Sequence, residues 1–282
     1  MAVRNYPRLP IEVFGRQLIE SEDLDPLYVA LNSCRRQGRM SRNHLKRWML
    51  AYWTFYHAGV ASYISDADCS EAYWERWNAA AVNEVESPIG SRWPRGSERR
   101  HMRGAAAISC WKDLRERYPL EPTRFVDHVV GDEETRTCEQ VMERVGSHSQ
   151  FGPWIGFKVA DMLERIMGYP IDFSLSTVFF FRDPKKAALR YAKETFPDWK
   201  PTEKEAVDWA SKTLLEKFSD MMAPPARDRK IGLQEVETVL CKWKSHLNGH
   251  YVVGWDTNEI KDGLADWALV SPTSVTLWDT MP

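Results

Sequence analysis

Three groups of residues in this 282-residue chain have types and spacings that suit chemistry. The first runs from Trp93 to Gly104 and carries Arg95, Arg99, Arg100, His101 and Arg103. Between Arg92 and Arg117, eight Lys and Arg stand against three Asp and Glu, a local +5 in a chain of net charge -2. Ser97 reads as the cap of a helix reaching Tyr118, with Arg99 and Arg103 on one face and Arg95 at its entry. Like charges four residues apart destabilise a helix. A bound polyanion removes that repulsion, and arginine forks match phosphate oxygens in pairs. The pattern assigns Arg95, Arg99, Arg100 and Arg103 to a bound polyanion, with His101 as an acid on a leaving phosphate or a further donor. The plain alternative is a solvated basic face.

The second group spans Phe151 to Asp172. A Gly152-Pro153 turn opens an apolar helix in which Gly152, Gly156 and Ala160 are small. Small residues let a phosphate approach backbone amides at a helix N-terminus, where the dipole favours an anion. Gly152 and Gly156 therefore suit a phosphate at the helix start. Lys158 is placed to act as nucleophile or cation, or is an ordinary helix lysine. Asp172, after the helix, is a catalytic carboxylate or a turn residue. The third group is Lys242, Lys244, His246 and His250, expected to add positive charge beside DNA, or to sit at a helix C-terminus stopped by Gly249. His246 and His250 have i, i+4 spacing, but Cys241 is out of step and no fourth ligand is evident, so no metal is expected. With no phosphate loop, GxGxxG or GxSxG pattern, no cofactor is expected either.

Helices must position these groups. Apolar residues recur at helical spacing along most of the chain, for example Leu45, Trp48, Met49, Tyr52 and Phe55 behind a Ser41 cap. Thr202 and Glu205 form a capping box, and Asp183-Pro184 reads as another helix start. Only Val178 to Phe181 looks strand-like, so the fold class is all-α. Three segments are read: 1–40, a helical core over 41–223, and a C-terminal helical segment over 224–282 packing on that core. Pro224-Pro225 and the charged run to Lys230 mark a linker. The 43% hydrophobic content supports a sizeable core, and thirteen tryptophans serve packing or base stacking. Five scattered cysteines, no apolar leader core and no membrane-length apolar run predict a cytoplasmic protein without disulfides.

The run from Phe151 to Asp172 resembles the helix-hairpin-helix of the DNA glycosylase superfamily. That resemblance implies two helical lobes with a cleft between them, and a DNA backbone on Gly152, Trp154 and Gly156. Lys158 then falls where bifunctional glycosylases carry the lysine that attacks the sugar. Without gaps, Ser176 takes the place of the glycosylase aspartate; a gap of about four residues gives that place to Asp172. Together with the segment from Trp93 to Gly104 and that from Cys241 to Tyr251, the chain resembles the phage-linked α-glutamyl/putrescinyl thymine pyrophosphorylases within this superfamily. The resemblance covers roughly residues 25 to 260.

It implies an amino acid:DNA transferase of thymine hypermodification. Its substrates would be double-stranded DNA carrying phosphorylated 5-hydroxymethyluracil, supplied by a kinase, and a free amino acid. The amine would displace phosphate or pyrophosphate, with Asp172, His246 or His250 taking its proton, in the cytoplasm of a phage-infected host. Because no glycosidic bond breaks, loss of the glycosylase aspartate would be tolerable. Two alternatives stay open: a glycosylase using Lys158 and Asp172, and a non-catalytic DNA-binding module.

Overall fold

The structure is a computed structural model that describes residues 6–95, 102–174 and 177–282. Among the described residues it is mostly helical, in agreement with the all-α expectation. The first helices are α1 (Ile11–Glu20), α2 (Pro26–Arg36), α3 (Arg42–Phe55), α4 (Ala58–Ser65) and α5 (Ser70–Val82). Next come α6 (Ala105–Arg117), α7 (Arg124–Val130), α8 (Cys138–Gly146) and α9 (Pro153–Arg165). The last are α10 (Arg182–Thr195), α11 (Glu203–Lys217), α12 (Leu233–Leu247), α13 (Trp255–Ala265) and α14 (Pro272–Trp278). Two strands of two residues, β1 (Arg136–Thr137) and β2 (Ile171–Asp172), complete the set. No described helix is long and apolar enough to cross a membrane.

The chain forms two compact units, each discontinuous in sequence. One comprises Ala30–Ile171 and Asn258–Met281. The other comprises Met1–Val29, Asp172–Thr257 and Pro282.

The first unit, which holds the hairpin, is organised around α3. The Ser41 hydroxyl accepts from the His44 amide at 3.1 Å, satisfying one of the unpaired donors that any helix start leaves. The expected stripe from Leu45 to Phe55 is buried. Trp53 reaches α9, where its indole N–H donates to Met162 Sδ at 3.0 Å. Trp48, Trp53, Trp74, Trp77 and Trp267 are fully buried in this unit, so most of its tryptophans fill the core. α8 starts on a capping box of Thr137 and Gln140. α6 departs from the sequence reading: it begins at Ala105, not Ser97. Gly104 takes a φ of 51°, a conformation glycine adopts without steric cost, and Met102 spends its amide on the Thr54 carbonyl at 3.1 Å. Arg103 therefore precedes the helix, and the arginine face expected along it does not extend to that residue.

In the second unit, the expected capping box of Thr202 and Glu205 opens α11. The Trp243 indole of α12 donates to the Leu9 carbonyl at 2.9 Å, fastening the N-terminal segment. The run at 224–230 lies inside this unit and is not a linker: Arg227 pairs with Glu22, and Arg229 pairs with the fully buried Glu235. Val178 to Phe181 forms no strand; the Phe180 amide donates to the Thr177 carbonyl across a turn. α10 starts at Arg182, leaving Asp183 to accept from Lys244 at 2.8 Å.

Packing in the hairpin unit is tightest at Gly59 of α4. A Cβ there would lie 2.6 Å from the Gly263 carbonyl oxygen and 2.3 Å from the Trp267 ring. Gly59→Ala is expected to cost about 2 kcal/mol by overpacking. That should lower the thermal midpoint by roughly 4–8 °C for a chain of this size. Circular dichroism melting checks it, and an unchanged midpoint would refute the close approach.

Candidate active site

The arginine segment is held at both ends by one of its own members. Arg95 Nη1 donates to the carbonyls of Trp93 at 3.3 Å and Pro94 at 3.2 Å. Its Nε donates to the Met102 carbonyl at 3.4 Å, on the far side of the segment. Nη2 donates to the Ala80 carbonyl in the last turn of α5, where the dipole favours a cation. The guanidinium also lies over the Phe55 ring, 4.7 Å from its centre. Burial, and then the Arg103 charge, push Arg95 down to about 10, which leaves it a cation at neutral pH. Four carbonyls thus occupy the residue expected on phosphate, because its place beside the end of α5 offers acceptors closer than any ligand. Arg103 is exposed. Arg99, Arg100 and His101 lie outside the described residues.

Because Met102 returns to Thr54, the segment closes at the C-terminal end of α3. The chain there turns sharply at Tyr56, in the left-handed region at φ 51°, and His57 caps α4 by accepting from the Val60 amide at 3.3 Å. A ladder of rings climbs this end of the helix. Trp48 stacks on Tyr52 at 4.9 Å, Tyr52 on Tyr56 at 4.6 Å, and Tyr56 meets Trp154 of α9 at 5.2 Å. Trp154 and Lys158 lie one turn apart on one helix face. The end of α3, the arginine segment's ends and the start of α9 are therefore gathered on one part of the hairpin unit.

The hairpin turn between α8 and α9 is fixed by α6. Ser109, Asp113 and Arg117, at i, i+4 and i+8, lie on one face of that helix. Ser109 Oγ and Ser149 Oγ share a hydrogen bond of 2.8 Å, Asp113 accepts from the Ser149 amide at 2.8 Å, and Arg117 donates to the Ser147 carbonyl at 2.9 Å. Tyr118 adds a 2.8 Å hydrogen bond to His148. The two glycines of the hairpin differ in role. A Cβ on Gly152 would meet nothing within 4 Å, and the residue is exposed at the start of α9. A Cβ on Gly156 would meet the Met142 backbone at 3.3 Å, so this glycine is buried where α8 and α9 touch. Gly152 and Trp154 remain open to a DNA backbone; Gly156 serves packing, because the helices approach too closely there for a ligand. Lys158 is buried, 4.0 Å from Asp161.

The remaining expected residues belong to the other unit. Asp172 is exposed and accepts from the Ser174 amide at 2.8 Å and the Ser174 hydroxyl at 2.6 Å. These bonds hold its carboxyl below the usual range, so it is an anion in a turn. Ser176 lies outside the described residues. Lys242 Nζ meets Asp256 at 2.6 Å and Tyr251 Oη at 3.0 Å, and Lys244 pairs with Asp183. His246 is 3% exposed, accepting from the Leu9 amide at 3.0 Å while Nδ1 meets the Tyr251 carbonyl. With both nitrogens committed it ties the N-terminal segment to α12, and neither a DNA contact nor a metal bond is assigned to it. His250 is exposed at the turn after α12, whose stop at Gly249 has φ 73°.

Sequence reasoning missed Tyr56, His57 and Asp161. Tyr56 and His57 carry no pattern beyond ending a helical stripe. Asp161 had a signal: a carboxylate amid an apolar helical run, three residues after Lys158 and four before Arg165.

Two measurements check this geometry. Gly152→Ala should leave the thermal midpoint within about 2 °C, since the φ of -79° suits any residue and the added Cβ meets nothing, yet weaken binding to duplex DNA. Gly156→Val should lower the midpoint by roughly 4–8 °C through overpacking; equal melting of the two variants would refute the division of roles. The second concerns His57, pushed down to about 4 by burial and then by the Arg95 charge. Its value falls below the unfolded 6.5, so the unfolded chain takes up the proton first. The stability it contributes is complete above pH 6.5 and drains away as pH falls toward 4. A pH series of urea unfolding should show this slope, and His57→Gln should flatten it.

The chain matches the family model for amino acid:DNA transferase over residues 19–251. It is 44% identical, over 293 aligned positions, to a protein of Pseudomonas phage PaMx11 named glycinyltransferase; the match covers 99% of this chain and 98% of that protein. A protein of Delftia phage PhiW-14 named putrescinyltransferase is 26% identical over 242 positions, covering 83% of this chain and 71% of its own. The family match takes in the arginine segment, the hairpin and α12 alike: the chain belongs to the amino acid:DNA transferase family.

Proposed function

We propose that this transferase joins the amine of glycine to the exocyclic methylene of a phosphorylated 5-hydroxymethyluracil in double-stranded DNA. The observation that carries the reading is the 44% identity, across nearly the whole of both chains, to a phage protein named glycinyltransferase. The amine nitrogen attacks the methylene carbon, a C–N bond forms, and the C–O bond to phosphate or pyrophosphate breaks with its electron pair on the leaving group. Charge grows on that group, so preorganised cations lower the barrier. Arg99, Arg100 and Arg103, with His101, are proposed to receive it; Arg95 acts indirectly by pinning the segment. Lys158 supplies a further cation. Asp172, held as a carboxylate, is proposed to take the proton lost by the incoming ammonium.

The base must leave the stack to react, and aromatic faces support extruded bases. Trp154, next to Gly152 at the start of α9, is proposed to contact the strand, with Lys242, Lys244 and His250 adding positive charge. The glycosylase-like architecture belongs to the same proposal; the hairpin of α8 and α9 supports it. A 5-hydroxymethyluracil DNA kinase would supply the substrate, and the phage relatives point to a host cytoplasm.

Mass spectrometry of nucleosides tests the reading, using phosphorylated 5-hydroxymethyluracil DNA incubated with the protein and pooled amino acids. A nucleoside with the mass of 5-hydroxymethyldeoxyuridine plus glycine less one water is expected, and Arg103→Ala should slow its formation at least tenfold. Free modified base with abasic DNA would mean glycosylase chemistry, and a different amino acid on the base would correct the donor.

A further inference from the structure

The middle of α9 holds a charged cluster that the reaction above leaves unexplained. Asp161 Oδ2 lies 4.0 Å from Lys158 Nζ and 3.6 Å from Arg165 Nη1. The three side chains are 10%, 0% and 1% exposed in the order Lys158, Asp161, Arg165. Spacings of three and four put them on one helix face. Aspartate is a poor residue for a helix interior, and a carboxylate removed from water is tolerated only beside compensating partners. The carboxylate stands between two cations, the buried Arg165 and, a turn below Trp154, Lys158, whose ammonium also lies 5.0 Å from the Phe157 ring centre.

From this arrangement we infer that Asp161 is a positioning residue, holding Lys158 as an oriented, protonated ammonium so that it acts as a fixed positive charge and not as an amine nucleophile. The function of such a lock follows from the proposed reaction, on which this part rests. The substrate methylene is electrophilic toward amines. A neutral Lys158 would compete with the amino acid: its Nζ would bond to the methylene carbon, the leaving group would depart with the C–O electron pair, and the new ammonium would lose a proton to water. The enzyme would be joined to its own DNA. A carboxylate at Nζ favours the charged form and leaves no lone pair for attack.

Asp161→Asn keeps the shape and removes the charge. Reductive methylation with formaldehyde and cyanoborohydride, read by peptide mass spectrometry, reports amine reactivity at Lys158 against the exposed Lys212 as reference. At neutral pH the Lys158 rate should rise at least tenfold in the variant, and Asp161→Glu should restore slow labelling. Turnover should fall at least tenfold with KM for DNA unchanged within twofold. Equal labelling of Lys158 in wild type and a folded Asp161→Asn would overturn the inference. Should that variant not fold, the wild-type pH profile decides: a labelling midpoint for Lys158 at or above that of Lys212 supports the pair, and one below it overturns it. If the wild type transfers nothing to DNA, the proposed reaction fails while the labelling result still stands or falls alone.

Discussion

The candidate site depends on one half-buried cation, Arg95, bonded to the protein's own carbonyls. A segment with four arginines in nine residues repels itself. Arg95 bonds to the carbonyls of Trp93 and Met102, on either side of it, and to the end of α5. The cost of drawing a guanidinium out of water is offset by four acceptors, the ring of Phe55 and the negative end of a helix. Arg95 gives its charge to architecture. Where Met102 bonds to Thr54, that architecture joins the α3 corner, with its stacked tyrosines and its uncharged His57.

The hairpin shows the same division of labour within a few residues. Gly152 is small with open space before it, and Gly156 is small because Met142 leaves no room. One residue type thus answers two different constraints four positions apart. Lys158 and Trp154, two positions out of step with the glycines, share another face of α9, which places a charge and an aromatic ring on a helix that close packing against α8 keeps still.

Much of the fold was legible because helix signals are local. Ser41, Thr202 with Glu205, and the stripe from Leu45 to Phe55 act through neighbours three and four residues away, and each forms as the pattern predicts. What was not legible depends on distant partners. Arg95 reads as one more arginine of a basic run until Ala80 and Met102 are seen beside it, and His246 reads as a DNA contact until Leu9 and Tyr251 take both its nitrogens. The charged run after Pro225 resembles a linker only while Glu22 and Glu235 are out of view. The start of α6 was not legible because glycine at 104 reads as tolerable in a helix, whereas its positive φ marks the residue before the first turn. The family itself was legible from motifs, since recognition rests on residue identity and not on tertiary contacts.

The helix between the two motifs sets their spacing. α6 has 13 residues and is about 20 Å long, starting just past the arginine segment and ending against the hairpin turn. Three side chains on one of its faces make the attachment. Each residue of an α-helix advances about 100° around the axis, so a single insertion or deletion between Ser109 and Arg117 would swing the residues on its far side off the shared face and break the attachment to Ser147 and Ser149. The helix is thus a calibrated ruler, whose register and not only its composition holds the turn.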